Sequence, residues 1–156
     1  MLFLVRHAKA GDRCANRADD FVRPLSKKGW AQAEDLVAPL LAAQAGAALF
    51  ASPYVRCMQT LAPLANHFQV AVIADERLEE GSSIATVIDM LASVPEGSVM
   101  CSHGDVIPEV ISALQRRGCE ITTRPNWTKG SVWMLKRDAT GTITQARSWP
   151  APAERS

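Results

Sequence analysis

An arginine beside a histidine can clamp a phosphoryl group and attack it, and Arg6-His7-Ala8 stands where the apolar run Met1 to Val5 ends. In open α/β folds ligands collect at the carboxyl ends of parallel strands. Three later segments carry residue types that would complete such a site. They are Ser52-Pro53-Tyr54-Val55-Arg56, Leu78-Glu79-Glu80-Gly81 and Ser102-His103-Gly104, each just after a short β-rich run or in the loop beyond it.

Phosphoryl transfer spreads negative charge over the equatorial oxygens of the moving group, and preorganised cations stabilise it. Arg6 and Arg56 suit this task, because each guanidinium presents a planar fork to two oxygens. Arg56 falls on a first helical turn, where a cation opposes the helix dipole; a bound anion would give it a reason to be there. His7 reads as the nucleophile. Neutral imidazole has a free lone pair near neutral pH, and neighbouring arginines lower its pKa further. His103 reads as a donor to the phosphoryl group, and Gly104 lets a backbone N–H approach closely. Taken singly, each histidine would pass for a capping or core residue. His67, beside Phe68 near a helix end, is assigned to the surface. Lys9, Arg23 and Lys28 could extend a positive rim, with Lys28 better read as a solvated helix residue. Trp127 and Lys129 could border the pocket or a partner surface, with exposed loop residues the preferred reading.

The elements that must position these groups alternate between strand and helix. Strands are expected at Met1 to Val5, Ala47 to Ala51, Val70 to Ala74 and Ser98 to Cys101. A closing pair is expected at Ser131 to Lys136 and Thr142 to Arg147. Gly11 to Arg23 reads as a loop. Ser26 caps a helix that runs through Trp30, Ala33, Leu36, Val37, Leu40 and Leu41 and stops at Gly46. Ser52 and Pro53 read as N-cap and first position of another helix, which Pro63 should kink or crowd. Ile84 to Leu91 and the stripe Val106, Ile107, Val110, Ile111, Leu114 give two more. This alternation predicts a three-layer α/β/α sandwich with a largely parallel central sheet. One domain, residues 1–149, is expected, with 150–156 a frayed tail.

Composition limits the alternatives. The 156 residues are 47% hydrophobic and 21% charged, with formal net charge +1. That balance gives no global attraction to nucleic acid or to an anionic membrane, so phosphate binding must be local. No run approaches the roughly 20 apolar residues of a membrane span, and the opening segment does not read as a secretory signal. A cytoplasmic protein is expected. Cys14, Cys57, Cys101 and Cys119 lack metal-site spacing, and no metal or other cofactor is expected.

Taken together and in this order, the segments resemble the histidine phosphatase superfamily, the phosphoglycerate mutase-like fold. Its hallmarks are an R-H-G-like opening, an S-P-x-x-R-x-x-Q-T segment, an acidic loop and a late S-H-G. Ser52 to Thr60 matches the second of these in full, including Gln59-Thr60. Ala8 replaces the usual glycine of the first. The short length and Val22-Arg23-Pro24-Leu25-Ser26 resemble the SixA-type phosphohistidine phosphatases. Val5 to Gly11, Val55-Arg56-Cys57, Val106-Ile107-Pro108 and Lys129-Gly130-Ser131 resemble the phosphatase-like domain fused behind a Nudix hydrolase in mycobacterial MutT-type proteins.

The resemblance implies catalysis through a phosphohistidine on His7. It also points to Glu80 as general acid by a Leu-x-Glu pattern counted from Leu78, with Glu79 as rival, and to Arg23 and Lys9 as substrate-binding groups. The long insertions that cap phosphoglycerate mutases are missing, so an open site is expected. A phosphohistidine on a protein heads the expected substrates, followed by a small phosphate ester or nucleotide. A docking module for a Nudix-type partner is the alternative of another class, and exposed apolar area around Trp127 and Trp133 would be its mark.

Overall fold

Two alternating apolar faces along the first strand organise the molecule. The computed structural model describes residues 1–155. In β1 (Leu2–Arg6), Leu2, Phe3, Leu4 and Val5 are all fully buried, as expected of a strand covered on both faces. Successive side chains point to opposite sides. Leu2 and Leu4 join Met100, Trp133, Val110 and Leu91 in one core. Phe3 and Val5 join Val99, Leu40, Leu61 and Leu64 in the other.

The remaining strands are β2 (Leu49–Ala51), β3 (Ile73–Ala74), β4 (Val99–Ser102), β5 (Glu120–Ile121), β6 (Val132–Arg137) and β7 (Ile143–Trp149). Their order across the seven-stranded sheet is β3-β2-β4-β1-β6-β7-β5. Four pairings are parallel and the two made by β6 are antiparallel. The sheet is therefore largely parallel and the three-layer α/β/α reading holds. The register that matters aligns Arg6 with Ser102 across β1 and β4, which sets the residues after them, His7 and His103, side by side.

The helices are α1 (Arg17–Phe21), α2 (Lys27–Asp35), α3 (Val37–Ala42), α4 (Val55–Phe68), α5 (Ile84–Ser93) and α6 (Val106–Arg116). Several expectations need correction. The segment read as a loop, Gly11 to Arg23, contains α1, whose N-cap Asn16 accepts from the N–H groups of Ala18 and Asp19. The long helix after Ser26 is two helices that meet at Leu36. Pro39 explains the break, because it cannot donate to the carbonyl of Asp35 and its ring crowds that position. The second piece ends through Gln44 in the left-handed region (φ 67°), two residues before Gly46.

Ser52 and Pro53 precede α4 instead of opening it; its N-cap is Tyr54. Pro63 is carried within α4, which continues to Phe68. The third strand shrinks to Ile73–Ala74, and β5 was not anticipated. Ser26 does cap α2, its hydroxyl accepting from Gly29 N at 3.1 Å. Residues 150–155 have no regular structure, yet they lie along α2 through the pairs Lys28–Glu154 and Arg155–Asp35. Ser156 lies outside the described residues. Among the described residues no helix is long and apolar enough to cross a membrane.

Candidate active site

The strand ends bring His7, Arg6, Arg56, Glu80, His103 and Gly104 together at one cavity. A hollow of about 490 Å³ is lined by Arg6, His7, Lys9, Arg23, Arg56, Glu80, Gly104 and Lys129. His7 is only 4% exposed. Its backbone N–H donates to Ser102 O at 3.1 Å, so the β1–β4 ladder extends to His7. Its Nδ1 lies 2.8 Å from the carbonyl oxygen of Ala8. A carbonyl can only accept, so Nδ1 carries the proton and Nε2 holds the lone pair. Burial, followed by the charges of Arg56, Arg6 and Lys129, lowers the His7 pKa to about 3 against the opposing pull of the Ala8 carbonyl. The ring is therefore neutral across the physiological range.

The loop after His7 is fixed from two sides. Ala8 N donates to Thr60 Oγ1 at 2.9 Å, and that hydroxyl donates to Arg56 O at 2.7 Å. Gln59 Oε1 accepts from Leu25 N at 2.8 Å. The Gln59-Thr60 end of the nine-residue motif thus braces the loop after His7 and the segment that leads into α2. Gly29 allows the same loop to pass, since a Cβ there would lie 1.8 Å from Lys9 O.

His103, 1% exposed, has its ring centroid 5.6 Å from that of His7. Its Nε2 is 2.8 Å from Ser52 Oγ. The hydroxyl read from sequence as a helix cap therefore serves an imidazole 51 residues away. If Ser52 donates, Nδ1 bears the proton and faces the cavity. Burial, then His7 and Arg56, lowers the His103 pKa to about 2.

Arg56 is fully buried. Its Nη1 donates to Asp20 O at 2.8 Å; its Nη2 donates to Glu80 Oε1 at 2.8 Å and to Asp20 Oδ2 at 3.2 Å. Asp20 was not anticipated. It is 4% exposed and also accepts from Arg23 Nε at 3.0 Å and Cys14 N at 3.2 Å. Burial would raise its pKa, but the Cys14 N–H and the two guanidinium groups hold it below the usual carboxylate range. One carboxylate thus anchors two of the expected phosphate-binding arginines. One of two adjacent acids in a five-residue helix gave no periodic or motif signal for this.

Arg6 donates to the carbonyl of Trp127 at 2.6 Å, and its Nε is buried without a partner among the described residues. Gly104 makes room for the same guanidinium. A Cβ there would stand 2.7 Å from Arg6 Cζ. Sequence reading gave Gly104 a backbone role; the structure gives its missing side chain a second one.

Of the two acids, Glu80 lines the cavity and lies 3.5 Å from His103 Nδ1, while Glu79 faces Arg17 at 3.7 Å. Arg13 reaches the outer oxygen of Glu80 at 3.4 Å. Lys9 is exposed at the rim, and Arg23, 9% exposed, lines the wall. Lys28 is remote from the cavity and paired with Glu154. His67 stacks on Phe68 away from the site.

Trp127 is an exposed loop residue as expected, but Lys129 is not. Lys129 is half-buried in the cavity wall, and Gly130 N donates to the carbonyls of Arg6 and His7. Trp127 packs its ring on Trp133, centroids 5.0 Å apart, and Trp133 is 1% exposed.

A parallel-sheet edge carrying two neutral histidines within a ring of cations defines a phosphate-handling α/β enzyme. Residues 2–86, more than half the chain, match the model of the histidine phosphatase superfamily (branch 1), and the chain belongs to that family.

An 8-oxo-(d)GTP phosphatase of Mycolicibacterium smegmatis is 38% identical over 143 residues, covering 86% of this chain. The chain spans only 43% of that relative's length. Among solved structures, the protein histidine phosphatase SixA complexed with tungstate superposes with TM-score 0.72 at 19% identity, covering 92% of each chain. A mycobacterial glucosyl-3-phosphoglycerate phosphatase superposes with TM-score 0.68 at 19% identity, covering 97% of this chain and 99% of its own. These superpositions establish the shared fold.

Proposed function

We propose that the chain is a metal-independent phosphatase working through a covalent phosphohistidine on His7. The carrying observation is the Nδ1–Ala8 carbonyl bond, which leaves the Nε2 lone pair of a neutral imidazole in a cation-lined cavity. A phosphoryl group enters against Arg6, Arg56 and His103. One of its oxygens replaces Glu80 on Arg56 Nη2, and the released carboxylate takes up a proton from solvent and turns to the leaving oxygen as general acid. His7 Nε2 forms the P–N bond as the P–O bond breaks, and water then hydrolyses the phosphohistidine. Arg23 and Lys9 hold the remainder of the substrate.

Two substrate classes fit an open site. Phosphohistidine on a protein is supported by the uncapped cavity and the SixA-like fold. A small phosphate ester or nucleotide is supported by the relative that acts on 8-oxo-(d)GTP, and the cation surplus in the cavity favours this second class. A docking role beside a Nudix-type partner has less support, since Trp133 is buried and the catalytic set is assembled. The chain is read as a cytoplasmic protein.

The test is hydrolysis of 4-nitrophenyl phosphate with a chelator present, by the wild type and by His7→Ala, with acid-quench trapping of labelled phosphoenzyme. Turnover and an acid-labile label in the wild type, both lost in His7→Ala, support the proposal. Undiminished turnover by His7→Ala refutes it.

A further inference from the structure

Three of the six cations that line the cavity have an acidic partner, while Arg6, Lys9 and Lys129 have none among the described residues. Arg13 pairs with Glu80, Arg23 with Asp20, and Arg56 with both acids. Lys9 and Lys129 have no ion-pair or side-chain hydrogen-bond partner among the described residues, although Asp12 and Asp105 also line the hollow. Lys129 is the more telling of the two. It is half-buried, and its backbone is held against the nucleophile because the next residue, Gly130, donates to the carbonyls of Arg6 and His7.

An ammonium in that position loses water and meets like charge without compensation. Its pKa is lowered by burial first and then by Arg6, Arg23, Arg56 and Lys9. One phosphoryl dianion already has Arg6 and Arg56 to receive it. From this arrangement we infer that Lys9 and Lys129 form a second anion subsite, and that the substrate carries a second phosphate next to the transferred one, as at the end of a nucleoside diphosphate or triphosphate.

The chemistry is consistent with such an anhydride. His7 Nε2 attacks the terminal phosphorus, and the bond from that phosphorus to the bridging oxygen breaks with its electron pair staying on the oxygen. The leaving group departs as a phosphate anion, which the two lysines stabilise and which needs no proton. Water then cleaves the P–N bond, giving orthophosphate and free His7. This assignment rests on the covalent-histidine reading, but it can be tested apart from it.

The test is calorimetric titration of the full chain with orthophosphate and with imidodiphosphate, at fixed salt and with a chelator present. Imidodiphosphate has a bridging nitrogen in place of the anhydride oxygen, which slows turnover. The wild type is expected to prefer imidodiphosphate by about tenfold, and Lys129→Gln to reduce that preference about three- to fivefold, the size of one partly screened charge contact. Lys129→Arg, which keeps the charge, should retain it. No preference in the wild type, or equal losses for both anions in Lys129→Gln, would overturn the subsite. Failure of the catalytic reading would show separately, as a wild type that binds these anions but neither hydrolyses 4-nitrophenyl phosphate nor traps a phosphoenzyme.

Discussion

Substituting Gly104 by alanine adds one methyl group where the Arg6 guanidinium lies. The new Cβ would stand 2.7 Å from Arg6 Cζ and Nη2 and 2.8 Å from Nε. Ordinary contacts between such atoms fall near 3.5–4.0 Å, so the guanidinium must retreat by about 1 Å. Its retreat is restricted by the 2.6 Å bond to the Trp127 carbonyl. Gly104 has no positive φ, so alanine carries no backbone penalty there. The atom that must move is the tip of a flexible side chain, so folding stability should fall by less than about 1 kcal/mol.

Catalysis is far more sensitive, since a 1 Å misplacement of a positioning group costs on the order of 10²-fold. In barrier units this is about 2.7 kcal/mol. The assay is kcat/KM for an aryl phosphate in Gly104→Ala, Arg6→Ala and the double variant. In the Arg6→Ala background the added methyl should cost almost nothing, because the group it displaces is gone. Wild-type activity in Gly104→Ala, or an equal loss in both backgrounds, would refute the steric argument.

Exchanging each acid for its amide separates the two candidates. Glu80→Gln should slow turnover of an alkyl phosphate by roughly 10²- to 10⁴-fold, the usual worth of a placed acid, and that of 4-nitrophenyl phosphate much less. Glu79→Gln should change both by less than about threefold, as measured by steady-state kinetics, because its side chain faces Arg17. The neutral histidines also make a stability prediction. His7 and His103 have native pKa values lowered to about 3 and about 2, while an unfolded histidine titrates near 6.5. The unfolded chain therefore binds protons first. Stability is fully present above roughly pH 6.5 and declines as pH falls toward 3, by up to about 1.4 kcal/mol per pH unit per histidine. Urea unfolding of the anion-free protein between pH 7.5 and 5 should show this decline, and a His7→Gln, His103→Gln double variant should flatten it.

The parts of this fold set by local pattern were readable in the chain. β1, β4 and α6 announce themselves by continuous or helically spaced apolar residues, all of which are buried. The site segments were readable because each follows a strand, and parallel strands end on the same side of the sheet. What escaped was fixed by partners distant in the chain. Asp20 sits in a helix too short to show a period, and it gains its meaning from Arg56, 36 residues on. Ser52 looked like a cap and binds His103 instead. The Trp127 carbonyl that holds Arg6 is a backbone group, invisible to residue type. Lys129 looked like solvated charge because nothing local shows that Gly130 ties it to the nucleophile strand.

The register of Arg6 opposite Ser102 sets the two histidines opposite each other just past the end of one ladder. Their spacing is inherited from strand pairing, where a slip of one residue would turn every buried side chain to the wrong face. The segments that carry the cavity-lining residues Lys9, Arg23 and Lys129 are connections outside that ladder. On the proposed mechanism the histidine pair thus rests on the part of the chain least free to change, while the side chains that would meet the rest of a substrate stand on connections. Exchange of those connections is a route by which one frame acquires new substrates while the histidine pair stays as it is.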